Sequence, residues 1–401
     1  MKRLFIENQD GQVYTALTID GKLREIYIDP DKSGSMVGQI ILGRLDAILP
    51  GQFAFVDIGP GKNALMNTSH DVPLKKGQSI LVQVYKDPTG SKGAYVGTEL
   101  RHKGHYVILL ESPRGEIGIS QKITDEKERK RLRAVAQQFL PKGFGIIVRT
   151  NAEGQEAEKI FADIDALHML HQKIKARAQH SVFPAVINSD ASGISGVSSQ
   201  LQTLLSDMLS DDLCEIWISG MDFSAIGQAI TRIEPSLEDR IFSYDAQTLK
   251  SSLLIANNIT PQISAALKKT VQLPCGGFIT IEQTEACVVI DVNTGRFTGQ
   301  QDFRSTVIKT NIEAAICIAW QLTLRNLSGI IIIDFIDMKH SEDKSALLDA
   351  LANELRKDRI KTEIVGITEL GLVQLTRKRT REPLSRLLEQ DCPSCGGRGK
   401  V

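Results

Sequence analysis

Residues 3–8, 13–19 and 23–28 are short runs in which apolar and polar positions partly alternate, separated by Asp10-Gly11 and by Ile19-Asp20-Gly21. Alternating runs joined by Asp-Gly turns predict a β-meander. From about residue 36 the pattern changes. GQIILGRLDAILPGQFAFVDIG, then SILVQVYKD and KGAYVGTEL, read as short strands broken by Gly and Pro. That pattern suits a small barrel of the oligonucleotide-binding type, ending near residue 100. Its loop DPTGSKG, 87–93, is expected to be exposed and carries Lys92.

Residues 105–110 form another expected strand. A basic cluster follows, Lys122, Lys127, Arg129, Lys130, Arg131 and Arg133, opening a helix that buries Leu132, Val135, Ala136 and Phe139. A solvated helix face is the plainer reading of that cluster. FGIIVRTN, 144–151, reads as a strand ending in Arg149 and Thr150. A long helix comes next, with Ile160, Ile164, Leu167, His171 and Ile174 at helical period. Packing or a helix face, rather than a metal, accounts for His168 and His171. From 200 onward LCEIWISG is a strand, a helix follows, and RIFSYD is a second strand. Residues 250–270 read as helical, with Pro261 interrupting.

The last α/β unit, from about 278, holds the most informative pattern. Asp291 closes the apolar run of ACVVIDVN, and Asp334 closes that of GIIIIDFID. A helical segment, 305–321, lies between them; a helix over 342–357 and a strand TEIVGIT come after. Strand, crossover helix and parallel strand would bring both carboxylates to one rim of a sheet. Paired carboxylates seat a hard divalent cation such as Mg²⁺, and metal-assisted phosphodiester chemistry is the leading use of such a seat. Asn293, two residues beyond Asp291, shares its face and would orient it or ligate the ion. Asp337 adds a third carboxylate, and Gly295 and Gly299 suggest a tight loop. Isolated strand-end aspartates are usually caps or turn residues; two of them flanking one helix, with an asparagine in register, favour a site. None of the seven histidines is an obvious general base, which favours water activated by the ion as nucleophile.

The chain has 401 residues with 42% hydrophobic and 24% charged positions, so two to four folded domains are expected. Lys plus Arg and Asp plus Glu both number 48, which excludes an overall basic nucleic-acid binder but not a local groove. From residue 356 to the end, eleven Lys or Arg face six Asp or Glu. No apolar run approaches the roughly 18 residues of a membrane span, and MKRLFIENQDG lacks the apolar stretch of a signal peptide. A cytoplasmic protein is expected. Six cysteines are too few for a disulfide scaffold. Cys214, Cys275, Cys287 and Cys317 lie in or near apolar segments, where most are expected to be buried free thiols. Cys392 and Cys395 stand at C-x2-C spacing. With no second pair and no nearby His, they are either a redox pair or half of a four-thiolate zinc site completed by a second copy.

Taken together, GFGIIVRTN, IEQTEACVVIDVNTG, TNIEAA, GIIIIDFIDM, LGLVQLTRKR and CPSCGGRG resemble, in this order, the ribonuclease E/G family over essentially the whole chain. The resemblance implies an endonuclease of single-stranded RNA that uses Mg²⁺ and leaves 5′-phosphate and 3′-hydroxyl ends. It further implies a role in rRNA and mRNA processing and decay and stimulation by a 5′-monophosphate. It implies that Asp291 and Asp334 hold the catalytic Mg²⁺, that Asn293 supports Asp291, and that Arg149 and Thr150 receive the 5′-monophosphate. It also implies that Cys392 and Cys395 share Zn²⁺ with the same pair of a second subunit, giving a homodimer. The implied fold is an α/β multidomain: an RNase H-like domain split between 1–35 and 190–277, an inserted S1 barrel at 36–118, a 5′-sensor region at 119–189, a DNase I-like catalytic domain at 278–390 and a zinc-link at 391–401. Phe55 matches one RNA-stacking aromatic of the S1 domain and Lys92 keeps the basic character of its loop. The second stacking aromatic is Leu65 here, and Gln374 stands where relatives often have Glu. Because the chain stops six residues after Cys395, a scaffold role in a degradosome, and tetramer formation, are not expected. The other readings are a catalytically silent S1-type RNA-binding protein, a redox or structural zinc protein, and a DNA nuclease. Only the nuclease readings use the acidic pair.

Overall fold

The computed structural model describes residues 1–30, 36–49, 52–59, 61–68, 74–88, 92–112, 114–187, 197, 199–295 and 303–390. Two compact units divide the chain: Met1–Asp29 with Cys214–Gly220 and Tyr244 onward, and Pro30–Leu213 with Met221–Ser243.

In the first unit the meander forms as the turns dictate. Strands Lys2–Gln9 and Gln12–Ile19 pair antiparallel, Gln9 opposite Gln12, around Asp10 and Gly11 at φ 52° and 78°. Asp20 and Gly21 repeat that left-handed pair before strand Lys22–Pro30, the geometry of a two-residue hairpin turn. Glu7, buried, accepts from the backbone N–H groups of Leu253 and Leu254, tying the meander to helix Leu253–Ala256. Pro261 does not interrupt a helix. It sits in the first turn of helix Thr260–Ala266, where its missing N–H costs nothing.

The rest of this unit is a six-stranded mixed sheet in the order Thr270–Gln272, Phe278–Gln283, Cys287–Asn293, Gly329–Asp334, Val373–Arg377, Thr362–Ile367. Only the two acidic strands are parallel neighbours, joined by the helix Phe303–Leu324. That helix and Ser341–Leu355 cover one face. Ala314, Ile318 and Leu322, with Leu347 and Leu351, pack on Val288, Ile290, Val292, Ile331, Ile333 and Leu375. The alternate side chains, Val289 and Ile330, are exposed, so among the described residues the opposite face is open there. Val373–Arg377 is a strand that the hydrophobic pattern does not single out. It lies between the second acidic strand and TEIVGIT, held there by the buried Arg377.

In the second unit five strands close a barrel: Ile40–Leu49, Phe53–Asp57, Ala64–Asn67, Tyr95–Gly97 and Ser79–Lys86, which returns to Ile40–Leu49. Ile41, Leu45, Ala54, Val56, Met66, Val82 and Val96 fill it. A second sheet, Ile117–Ile119, Phe144–Val148, Val107–Glu111 and Arg101–Lys103, packs its core with helices Glu126–Phe139 and Ala157–Gln179. In helix Glu126–Phe139, Leu132 and Ala136 are buried as expected, whereas Val135 and Phe139 are only half-buried. His171 is a packing residue. Its Nδ1 lies 2.9 Å from Nε2 of buried His102 and its ring stands edge-on to Phe144. Burial pushes the His102 pKa down to about 4, so the neutral pair shares one proton between two nitrogens.

Among the described residues no helix is long and apolar enough to cross a membrane. Of the four described cysteines, Cys275 and Cys317 are buried, Cys287 is half-buried and Cys214 is exposed, so burial holds for two rather than most. Cys214 is the second residue of strand Leu213–Ser219, next to buried Leu213. Cys392 and Cys395 lie outside the described residues.

Candidate functional sites

The two acidic strands run parallel with Asp291 and Asp334 as direct register partners. Each is the exposed residue after a buried isoleucine, Ile290 or Ile333. Strand alternation therefore puts both carboxylates on the open face of the sheet, side by side at its carboxyl rim. Asn293, two residues on, donates from Nδ2 to Asp291 Oδ2 at 2.5 Å. The amide fixes the rotamer of Asp291 and engages one of its oxygens, leaving the other to a ligand. Thr280 is the register partner of Asp291 on the opposite side.

The rim is held by backbone fits that need particular residues. Gly277 and Gly295 let two loops touch: a Cβ on Gly277 would lie 2.7 Å from the Asn293 carbonyl, and one on Gly295, at φ +63°, 2.5 Å from the Gly276 carbonyl. Asn311, fully buried on the crossover helix, donates to the Ile336 carbonyl at 2.8 Å and accepts from the Ile336 N–H at 3.1 Å. This amide clamps the segment just beyond Asp334. Asp337 is exposed in the same segment, with Oδ1 3.8 Å from where a Gly371 Cβ would stand. Gln374 pairs with Ile332 on the neighbouring strand, two positions back from Asp334. Gly299 lies outside the described residues.

A second constellation occupies the other unit. Strands Ile117–Ile119 and Phe144–Val148 are parallel neighbours. Their carboxyl ends deliver Ser120 and Thr150, whose hydroxyl oxygens are 3.0 Å apart, and Arg149. The Arg149 guanidinium donates through Nη1 to the carbonyls of His105 at 3.1 Å and Ser206 at 3.2 Å, and also to that of Gly104. Through Nη2 it pairs with Asp207. Lys103 Nζ binds the other oxygen of Asp207 at 2.6 Å. His105 Nδ1 lies 2.9 Å from the Ser206 carbonyl, which can only accept, so that nitrogen carries the proton. Arg149 is thus an anchored cation, its side chain 15% exposed, rather than a mobile surface arginine. Asp207 and Ser206 come from helix Ser199–Met208, some sixty positions away in sequence, and no local pattern marks them.

On the barrel, Phe55 is outward and half-buried between inward Ala54 and Val56, and Lys92 is exposed. Leu65 is the register partner of Phe55.

Residues 102–380 match the Ribonuclease E/G family. The chain is 37% identical to ribonuclease G of Haemophilus influenzae over 96% of its own length and 81% of that protein. To ribonuclease G of Escherichia coli K12 it is 35% identical over 99% of its length and 84% of that protein. To ribonuclease E of a Nostoc species it is 38% identical over 90% of its length, but over only 54% of that longer protein.

Proposed function

The chain belongs to the ribonuclease E/G family and is therefore an endoribonuclease of RNA processing and decay; we propose that it hydrolyses single-stranded RNA at Asp291 and Asp334 with Mg²⁺. The observation that carries this reading is the register pairing of the two carboxylates on an open sheet face. Two exposed oxygen ligands suit Mg²⁺, which keeps several waters and takes one or two carboxylates plus substrate phosphate. Bound there, the cation would supply Lewis-acid stabilisation of the reacting phosphate and a more acidic water. Asp291 and Asp334 would hold it from adjacent strands. Asn293 keeps Asp291 from rotating, and the Asn311 clamp fixes the rim. The finer architecture we propose is an RNase H-like domain, an S1-type barrel, a 5′-sensor region and a DNase I-like catalytic domain.

Arg149 and Thr150 are proposed to receive a 5′-terminal phosphate. An arginine held by three carbonyls and Asp207 is pre-oriented, so little side-chain entropy is lost when phosphate binds, and the Ser120 and Thr150 hydroxyls lie at the same strand ends. Arg149→Ala is expected to lower the preference for 5′-monophosphorylated over 5′-hydroxyl RNA by about tenfold, as loss of a charge-assisted hydrogen bond would. The comparison is of initial rates on two RNAs of one sequence; an unchanged ratio removes the assignment. The barrel is proposed to hold the strand through Phe55 and Lys92.

Cys392 and Cys395 are proposed to supply two of four thiolates of a Zn²⁺ shared by two subunits, since structural zinc takes four ligands. Stripping zinc with a chelator is then expected to halve the mass in solution. A dimer that persists without bound zinc would rule this out.

A further inference from the structure

The outer face of the barrel carries an aromatic that neither the active-site reading nor the phosphate reading uses. Phe55 pairs in register with Leu65, and Leu65 pairs in register with Tyr95 on the next strand. The inward neighbours of all three, Ala54 and Val56, Ala64 and Met66, Ala94 and Val96, are buried in the barrel core. Strand alternation then turns Phe55, Leu65 and Tyr95 outward as one row across three strands. Neighbouring strands lie about 4.8 Å apart, so Phe55 and Tyr95 are about 10 Å apart with Leu65 between them.

Tyr95 is also backed. Its ring centroid is 6.3 Å from that of Tyr85, tilted by 47°. Tyr85 is itself locked. It is the extra residue where the pairing shifts between Val84 and Lys86. Its ring covers Gly97, where a Cβ would come within 2.5 Å of the ring. Its hydroxyl donates to the Glu99 carbonyl at 2.5 Å, and the Arg101 guanidinium lies 5.0 Å from its centroid. Lys92 is exposed three residues before Tyr95. The Arg101 guanidinium is itself paired with Glu99, so Lys92 is the exposed cation near Tyr95 in sequence. An aromatic held against a fixed neighbour, with a basic residue on the adjoining loop, suits a sequence-tolerant platform for single-stranded bases.

We propose that Tyr95 is the second base-stacking residue of this barrel, taking the part that Leu65 lacks the π-face to play. Single-stranded RNA crosses the outer face from Phe55 to Tyr95, one base on each ring, with Lys92 beside the backbone. This rests on the reading that the barrel holds RNA through Phe55. The row is offset by one strand from the Phe55–Leu65 pair, so the strand is held over a longer span than two adjacent aromatics would give.

The test measures binding of a fluorescein-labelled single-stranded oligoribonucleotide by anisotropy, without divalent cations so that no cleavage occurs. Tyr95→Leu and Phe55→Leu are each expected to weaken binding by at least about fivefold, and Tyr95→Phe to stay within about twofold of the parent. A loss in Phe55→Leu with none in Tyr95→Leu overturns the proposal and leaves the barrel reading standing. No loss in either variant overturns both. In a Tyr95→Trp protein, RNA is expected to quench the new indole emission through stacking; unchanged emission at saturating RNA shows a packing residue and contradicts the proposal. Matched melting temperatures keep a folding defect from imitating the result.

Discussion

Replacing either Asp291 or Asp334 by asparagine is expected to lower the rate of RNA cleavage by about three orders of magnitude, or roughly 4 kcal/mol of transition-state stabilisation. The substitution keeps size and shape but exchanges an anionic oxygen for a neutral amide, a much poorer partner for a hard cation. Both side chains are exposed on the open sheet face and neither belongs to the core. Stability is therefore expected to change little, and RNA affinity without cation to stay within about threefold. Single-turnover cleavage beside anisotropy separates the two quantities. A variant that still cleaves within tenfold of the parent would show that its carboxylate is not part of the reaction. Because the two residues are register partners, their effects are expected to be far from additive: the double variant should cost scarcely more than either single one.

The second large effect concerns stability. Arg377 is almost fully buried on the strand that pairs with Gly329–Asp334. It donates from Nε to Asp358 at 2.6 Å and from Nη1 to the Asn326 side chain at 3.1 Å and the Leu327 carbonyl at 3.0 Å. Asn326, at φ 50°, ends the crossover helix and donates in turn to the carbonyls of Arg381 and Glu382 at 3.0 Å. Arg377→Met fills similar space but takes the guanidinium away from the Asp358 carboxylate, whose side chain is 4% exposed and which also accepts from the Ile360 N–H at 2.9 Å. Removing one partner of a buried ion pair costs about 3–5 kcal/mol, a large share of a total of roughly 5–15. The urea midpoint of the unit holding the acidic sheet is expected to fall sharply. Replacing Asp358 by leucine as well is expected to recover much of the loss, since a buried ion pair can be exchanged for apolar packing more cheaply than it can be halved. A shift worth less than about 1 kcal/mol in Arg377→Met would show that the cluster relaxes or hydrates instead.

These elements differ in how far the sequence announces them. The Asp10-Gly11 and Asp20-Gly21 turns have a local cause, a left-handed backbone that those residues tolerate, so the meander is readable from a few letters. The adjacency of Asp291 and Asp334 is readable too, because a right-handed crossover between parallel strands leaves few alternatives. Asn293 follows from strand alternation alone. The Arg149–Asp207 pair is different, since its partners meet only through tertiary packing and a solitary Asp in SDML carries no signal. Asn311 reads as an ordinary polar position on a helix, yet it is buried and holds the Ile336 backbone. Val373–Arg377 is short and followed by charges, so its place inside the sheet depends on a buried Arg377 that composition would assign to the surface. Pro261 was legible as a breaker but not as the start of a helix, a distinction that turns on where the neighbouring caps fall. Leu65 stands out as a lost aromatic only through the family resemblance; the register with the next strand is what brings Tyr95 beside it.

The central claim is that register-paired Asp291 and Asp334 support hydrolysis of single-stranded RNA with a divalent cation. The most direct test incubates the protein with a 5′-monophosphorylated single-stranded RNA in Mg²⁺ and in EDTA, and identifies the ends of the products. The account predicts cleavage in Mg²⁺ only, with 5′-phosphate and 3′-hydroxyl ends. Cleavage that persists in EDTA and leaves 2′,3′-cyclic phosphates and 5′-hydroxyls would contradict it, because that chemistry uses the RNA's own 2′-hydroxyl and needs neither carboxylate.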